Sequence, residues 1–190
     1  LVAIRRGVFP VEATAKAAAS GLLVLLALGR WDPGDPFATR MLVGLALCAA
    51  GDLLLLGRRT FPAGLVAFLL GHLGYLAAFA ARTPPPDWSP LPLVPLVVVA
   101  AGAGLWLWPH LGRLRAPVVC YIVAINAMTW GAVATVTAGT VQWTAAPGAV
   151  LFLLSDLAVA RHRFVRRAFV NRAAGLPAYY LGQLLLVMAI

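Results

Sequence analysis

Two aspartates, Asp52 and Asp156, interrupt long apolar stretches, and arginines follow each of them. Arg58-Arg59 closes the first stretch and Arg161-His162-Arg163 the second. The chain has only six acidic residues. An ionised carboxylate inside a bilayer costs about 3 kcal/mol or more, so a pair placed there needs a chemical reason. Paired carboxyls do acid–base work. One delivers a proton while the other activates water and stabilises a cation, as in glycoside hydrolysis. The residues leave open which aspartate is the acid and which the base.

What must hold these side chains is a bundle of membrane helices. Of 190 residues, 62% are hydrophobic and 11% charged, whereas a soluble domain carries about a quarter charged residues. Several runs exceed the roughly 18 apolar residues that suffice to cross a hydrocarbon core. The pattern predicts an all-α, polytopic transmembrane bundle of one domain, with seven spans near 11–29, 38–57, 61–81, 91–109, 116–138, 141–160 and 174–190. Turn chemistry marks the breaks at Trp31-Asp32-Pro33-Gly34-Asp35-Pro36 and Thr83-Pro84-Pro85-Pro86-Asp87. Residues 116–160 are too long for one span, and Gly139-Thr140 is the expected turn within them. The net charge of +9 does not read as nucleic-acid binding, because the arginines sit in short loops between spans.

Counting Lys and Arg on alternate sides places twelve on one side and three on the other. The richer side is expected to face the cytoplasm, leaving Ile190 outside, as in a multi-pass protein of a bacterial cytoplasmic membrane. With a helical rise of about 1.5 Å per residue, both aspartates fall near that side of their spans. Lys16 and Glu12 fall there too, in the first span. His72, Asn126, Tyr179, Tyr180 and Gln183 come about 5 to 11 residues in from the same end. Polar side chains sharing one depth favour a cavity open to that side.

Each of these residues has a plain alternative. Lys16 can pair with Glu12, four residues earlier. His72, Tyr75 and Asn126 can be packing residues, and Tyr179 and Tyr180 interfacial anchors. Tyr179 and Gln183 share a helix face and are favoured over Tyr180 for the lining. No spacing such as His-x-x-x-His points to a metal, and no cofactor is expected. Paired intramembrane aspartates would also suit a proton- or cation-coupled transporter. The polar-poor outer halves of the spans count against alternating access. Asp52 through Arg59 and Phe61 to Gly71-His72-Leu73-Gly74-Tyr75 is echoed by Asp156 through Arg163 and Phe164 to Tyr179-Tyr180-Leu181-Gly182-Gln183, as in a parallel repeat.

Gly51-Asp52, Phe68-Leu69-Leu70-Gly71-His72-Leu73-Gly74-Tyr75, the segment from Gly148 to Ser155-Asp156, and Tyr179-Tyr180-Leu181-Gly182-Gln183 follow in order behind Lys16. This ordered set resembles the YhhN-type membrane proteins, which include the lysoplasmalogenases. Members of that family usually have eight helices. A chain that starts at Leu1 leaves room for one ahead of it. The resemblance implies hydrolysis of the vinyl ether bond of a lysoplasmalogen-type lysophospholipid, giving a fatty aldehyde and a glycerophospho-base. Asp52 and Asp156 would then be catalytic. Lys16, His72, Tyr75, Asn126, Tyr179, Tyr180 and Gln183 would bind substrate, with the head group expected against Lys16, Tyr179 and Gln183.

Overall fold

The computed structural model describes residues 9–57 and 59–190, without the side chains of Phe9, Pro10 and Glu12. Arg5, Arg6 and Arg58, counted above for topology, and the Glu12–Lys16 pair therefore lie outside the described residues. Among the described residues seven α-helices follow one another: α1 (Phe9–Arg30), α2 (Pro36–Leu54), α3 (Phe61–Arg82), α4 (Leu93–Leu107), α5 (Arg115–Thr137), α6 (Ala145–Ala160) and α7 (Phe169–Met188). Five segments, carrying α1 to α5, are long and apolar enough to cross a membrane. Leu22, Leu25, Val98 and Leu105 stay exposed on the outer face. That face suits a hydrocarbon solvent, and the chain is a multi-pass membrane protein.

The helix ends follow local chemistry. Asp35 caps α2 by accepting from the Phe37 amide at 2.9 Å, with Pro36 in the first turn. Its other carboxylate oxygen takes the Arg82 guanidinium, tying the start of α2 to the end of α3. Gly139, at φ +69°, ends α5 at the expected turn. There the Thr140 amide donates to Thr135 O and the Gly139 amide to Val136 O, each at 3.0 Å. This is the Schellman pattern that glycine permits. Three expected boundaries shift. α2 stops at Leu54 rather than 57, where the Thr60 hydroxyl donates to Leu54 O at 2.6 Å. α6 begins at Ala145 rather than 141. α7 begins at Phe169 rather than 174 and runs through Pro177, because a helix can extend past the apolar slab that hydropathy detects.

Helix α1 packs on α2, and α2 on α3; α5 packs on α6, and α6 on α7. α3 meets α5 and α1 meets α7, closing a ring of six helices, with α4 outside against α5. Exchanging α1–α3 for α5–α7 maps each contact within the six-helix ring onto another, as a parallel repeat would. Matched residues of the sequence echo touch each other. The Tyr75 hydroxyl donates to Gln183 Oε1 at 2.6 Å, and the rings of Phe61 and Phe164 meet edge to face at 6.4 Å. Both hairpins close on glycine. A Cβ added at Gly182 would lie 2.8 Å from Gly148 O, and one at Gly74 would lie 3.1 Å from the Gly44 Cα. Gly44 and Gly148 each precede an aspartate by eight residues, so close packing sets the register of both carboxyls.

Candidate active site

The two ends of the ring differ. At the arginine-rich end the helices part around a cavity of about 440 Å³, and both Asp52 and Asp156 line it. Leu65, Val99, Ala103, Leu107, Val118 and Ile122 contribute an apolar wall from α3, α4 and α5. A volume in this range, mostly apolar with a few convergent polar groups, is typical of small-molecule sites.

Asp52 is buried at 2% exposure and surrounded by donors. Its Oδ2 accepts from the Ser20 hydroxyl at 2.7 Å and from the Tyr179 hydroxyl at 2.8 Å. Lys16 Nζ stands 3.5 Å from Oδ1. Two hydrogen bonds and a cation are what an ionised carboxylate requires when buried. Asp156 has a thinner set. Its Oδ2 accepts from the Tyr121 hydroxyl at 2.6 Å and lies 3.6 Å from His72 Nε2. His72 is fully buried, and its Nδ1 sits 2.7 Å from Phe68 O. A carbonyl only accepts, so Nδ1 holds the proton and Nε2 presents a lone pair toward Asp156. That Nε2 has no hydrogen-bond partner.

Behind this front lies a relay. Tyr75 donates to Gln183 Oε1, Gln183 Nε2 donates to the Tyr179 hydroxyl at 3.3 Å, and Tyr179 donates to Asp52. Tyr75 and Gln183 are buried behind the cavity, at 1% and 0% exposure. They hold Tyr179 in place. Tyr180 stands beside Ser20, with the two hydroxyls 3.5 Å apart. Of the nine residues singled out in the sequence, Lys16, Asp52, Asn126, Asp156 and Tyr179 line the cavity. His72, Tyr75, Tyr180 and Gln183 do not line it and reach it only through their neighbours. Tyr179 and Gln183 share a helix face, yet the edge of the cavity falls between them. Asn126 gives its Nδ2 to Ile122 O at 2.8 Å, leaving Oδ1 buried and unpartnered at the cavity.

Sequence reading missed five contributors. Ser20 carried a usable signal, one turn beyond Lys16 on the same face. Tyr121 shares the depth of the other polar residues but lies in an apolar run with nothing to single it out. Arg167, Asn171 and Arg172 also line the cavity; in the sequence they fall between two expected spans, where nothing marks them as facing inward.

Comparison with known proteins finds relatives over most of the chain. The chain is 33% identical over 165 residues to the lysoplasmalogenase TMEM86A of Homo sapiens, covering 81% of this chain and 66% of that protein. It is 37% identical over 144 residues to the lysoplasmalogenase of Mycobacterium bovis, covering 72% and 53%. It is 30% identical over 173 residues to the membrane protein YhhN of Escherichia coli, covering 88% and 83%. The chain thus spans about half to two thirds of the length of those two lysoplasmalogenases. No solved structure matches it significantly. The YhhN family model matches residues 11–190, and the chain belongs to the YhhN family.

Proposed function

We propose that this protein is a membrane-embedded hydrolase that cleaves the vinyl ether bond of a lysoplasmalogen-type lysophospholipid. The observation that carries the reading is that two carboxyls with unequal donor sets face one cavity. Asp156, with one donor and the lone pair of His72 opposite, is the proton carrier. It delivers a proton to the vinyl carbon beta to the ether oxygen, generating an oxocarbenium ion. Asp52, held ionised by Lys16, Ser20 and Tyr179, stabilises that cation and takes the proton of the attacking water. The resulting hemiacetal collapses as its hydroxyl gives its proton to Asp156 and the departing glycerol oxygen takes one from Asp52, so aldehyde and alcohol leave and both carboxyls regain their starting states. Two carboxyls divide the same duties in glycoside hydrolysis. The relatives named lysoplasmalogenase favour hydrolysis over transport. In this reading the arginine-rich end faces the cytoplasm, following the positive-inside rule.

The test is release of fatty aldehyde from lysoplasmalogen by purified protein. Asp52→Asn and Asp156→Asn should each abolish it while the protein stays helical and monodisperse. Full activity in either variant would end the two-carboxyl mechanism.

A further inference from the structure

We propose that Arg163 and Arg167 form an anion subsite at the mouth of the cavity, which takes the phosphate of a single-chain lipid. The lipid class rests on the hydrolase reading; the preference for a phosphate does not. His162, Arg163, Arg167 and Arg172 line the same cavity as the two aspartates. The chain leaves α geometry just where these side chains begin, in a π turn over Arg161–Val165. Such turns occur often at functional sites. Buried Asn171 staples the segment, accepting from Arg161 Nη1 at 2.6 Å and donating to Arg166 O at 2.8 Å. The Arg163 guanidinium lies 4.0 Å from the centre of the Phe61 ring, itself buried at 8% exposure. One planar guanidinium is thus oriented before any ligand arrives.

Neither Arg163 nor Arg167 has a carboxylate partner among the described residues, where Asp52 faces Lys16, Asp156 faces His72 and Asp35 faces Arg82. Guanidinium groups match phosphate oxygens in geometry and charge. The head-group residues expected from sequence are otherwise engaged: Lys16 and Tyr179 hold Asp52, and Gln183 is fully buried.

The reach fits. Seven residues separate Asp156 from Arg163, about 10 Å along the helix. Five bonds join a vinyl ether oxygen to the phosphorus of a glycerophospholipid, about 6 Å with bonds near 1.5 Å, and the arginine side chain closes the rest. One molecule can therefore meet the carboxyls and the arginines together, its chain lying along the apolar wall.

The experiment uses the full chain in detergent with two lipids it cannot cleave. One is a saturated 1-O-alkyl glycerophosphate and the other the 1-O-alkylglycerol of equal chain length, with binding read by calorimetry. Wild type should bind the phosphate-bearing lipid about ten-fold tighter, and Arg163→Gln or Arg167→Gln should each remove about that factor. Alkylglycerol affinity should not change, and Arg163→Lys should fall between. Equal wild-type affinity for the two lipids, or variants that weaken both alike, would overturn the subsite. A further arm sets sodium phosphate against sodium chloride at equal ionic strength. Displacement of the lipid by micromolar phosphate would reassign the arginines to free phosphate and overturn the lipid placement. Because binding is read on lipids that cannot be cleaved, selective binding here together with no aldehyde release from lysoplasmalogen would sink the hydrolase reading and leave the subsite intact.

Discussion

Replacing Lys16 by methionine should destabilise the bundle more than replacing its partner Asp52 by asparagine. Lys16 Nζ stands 3.5 Å from Asp52 Oδ1, with side-chain exposures of 15% and 3%. Removing one partner of a buried ion pair costs about 3–5 kcal/mol, because the other charge is left without compensation. Asp52 keeps its bonds from Ser20 and Tyr179, so the lower end, about 3 kcal/mol, applies to Lys16→Met. The reverse change costs less. Lys16 sits near the start of α1 and can swing its ammonium toward the head groups, leaving about 1 kcal/mol for Asp52→Asn. The double variant removes both charges and should lie within about 1 kcal/mol of wild type. Thermal unfolding in detergent, followed by circular dichroism, reads this directly. A loss of 3 kcal/mol corresponds to about 6–12 °C for a chain of this size. Aldehyde release should be lost in the double variant despite its recovered stability. If Lys16→Met melts with wild type, or the double variant is no better than Lys16→Met, the buried pair does not carry the energy assigned to it.

Asp156→Asn should lower the rate of aldehyde release by about a thousand-fold, within the range of a lost general acid. Tyr121→Phe removes one hydrogen bond to that carboxyl and should lower it about ten-fold; equal losses would mean that Tyr121 does more than orient. Gly182→Ala puts a methyl group 2.8 Å from Gly148 O and 3.0 Å from the Phe152 amide nitrogen. It should cost about 1–3 kcal/mol in melting experiments, since backbone atoms cannot step aside. Tyr75→Phe leaves Gln183 Oε1 buried without its donor and should destabilise by about 1–2 kcal/mol. The KM for lipid should stay at the wild-type value, and a raised KM would place Tyr75 in contact with substrate.

Hydropathy and charge were enough to read seven helices, their common end and the depth of Asp52, Asp156, Lys16 and Tyr179. Depth follows directly from sequence because each helical residue advances by a constant rise, whatever its neighbours. The echo between the two helix pairs was faint in composition. It became plain only where Tyr75 met Gln183 and Phe61 met Phe164. The run from Arg161 to Arg172 reads from sequence as topology and anionic head-group contact, with attraction of phosphate-bearing substrates a lesser role, since nothing in a run of arginines says which of them turn inward.

The residue order by itself determined a membrane bundle with two acids at one level near its basic end. Only the tertiary structure decided that Asp52 takes three donors while Asp156 takes one and faces His72. It also decided that Gln183 lies behind the cavity and Arg167 at its mouth. The reason is geometric. A sequence measures position along a helix axis, but the direction a side chain takes around that axis is set by what the neighbouring helices pack against.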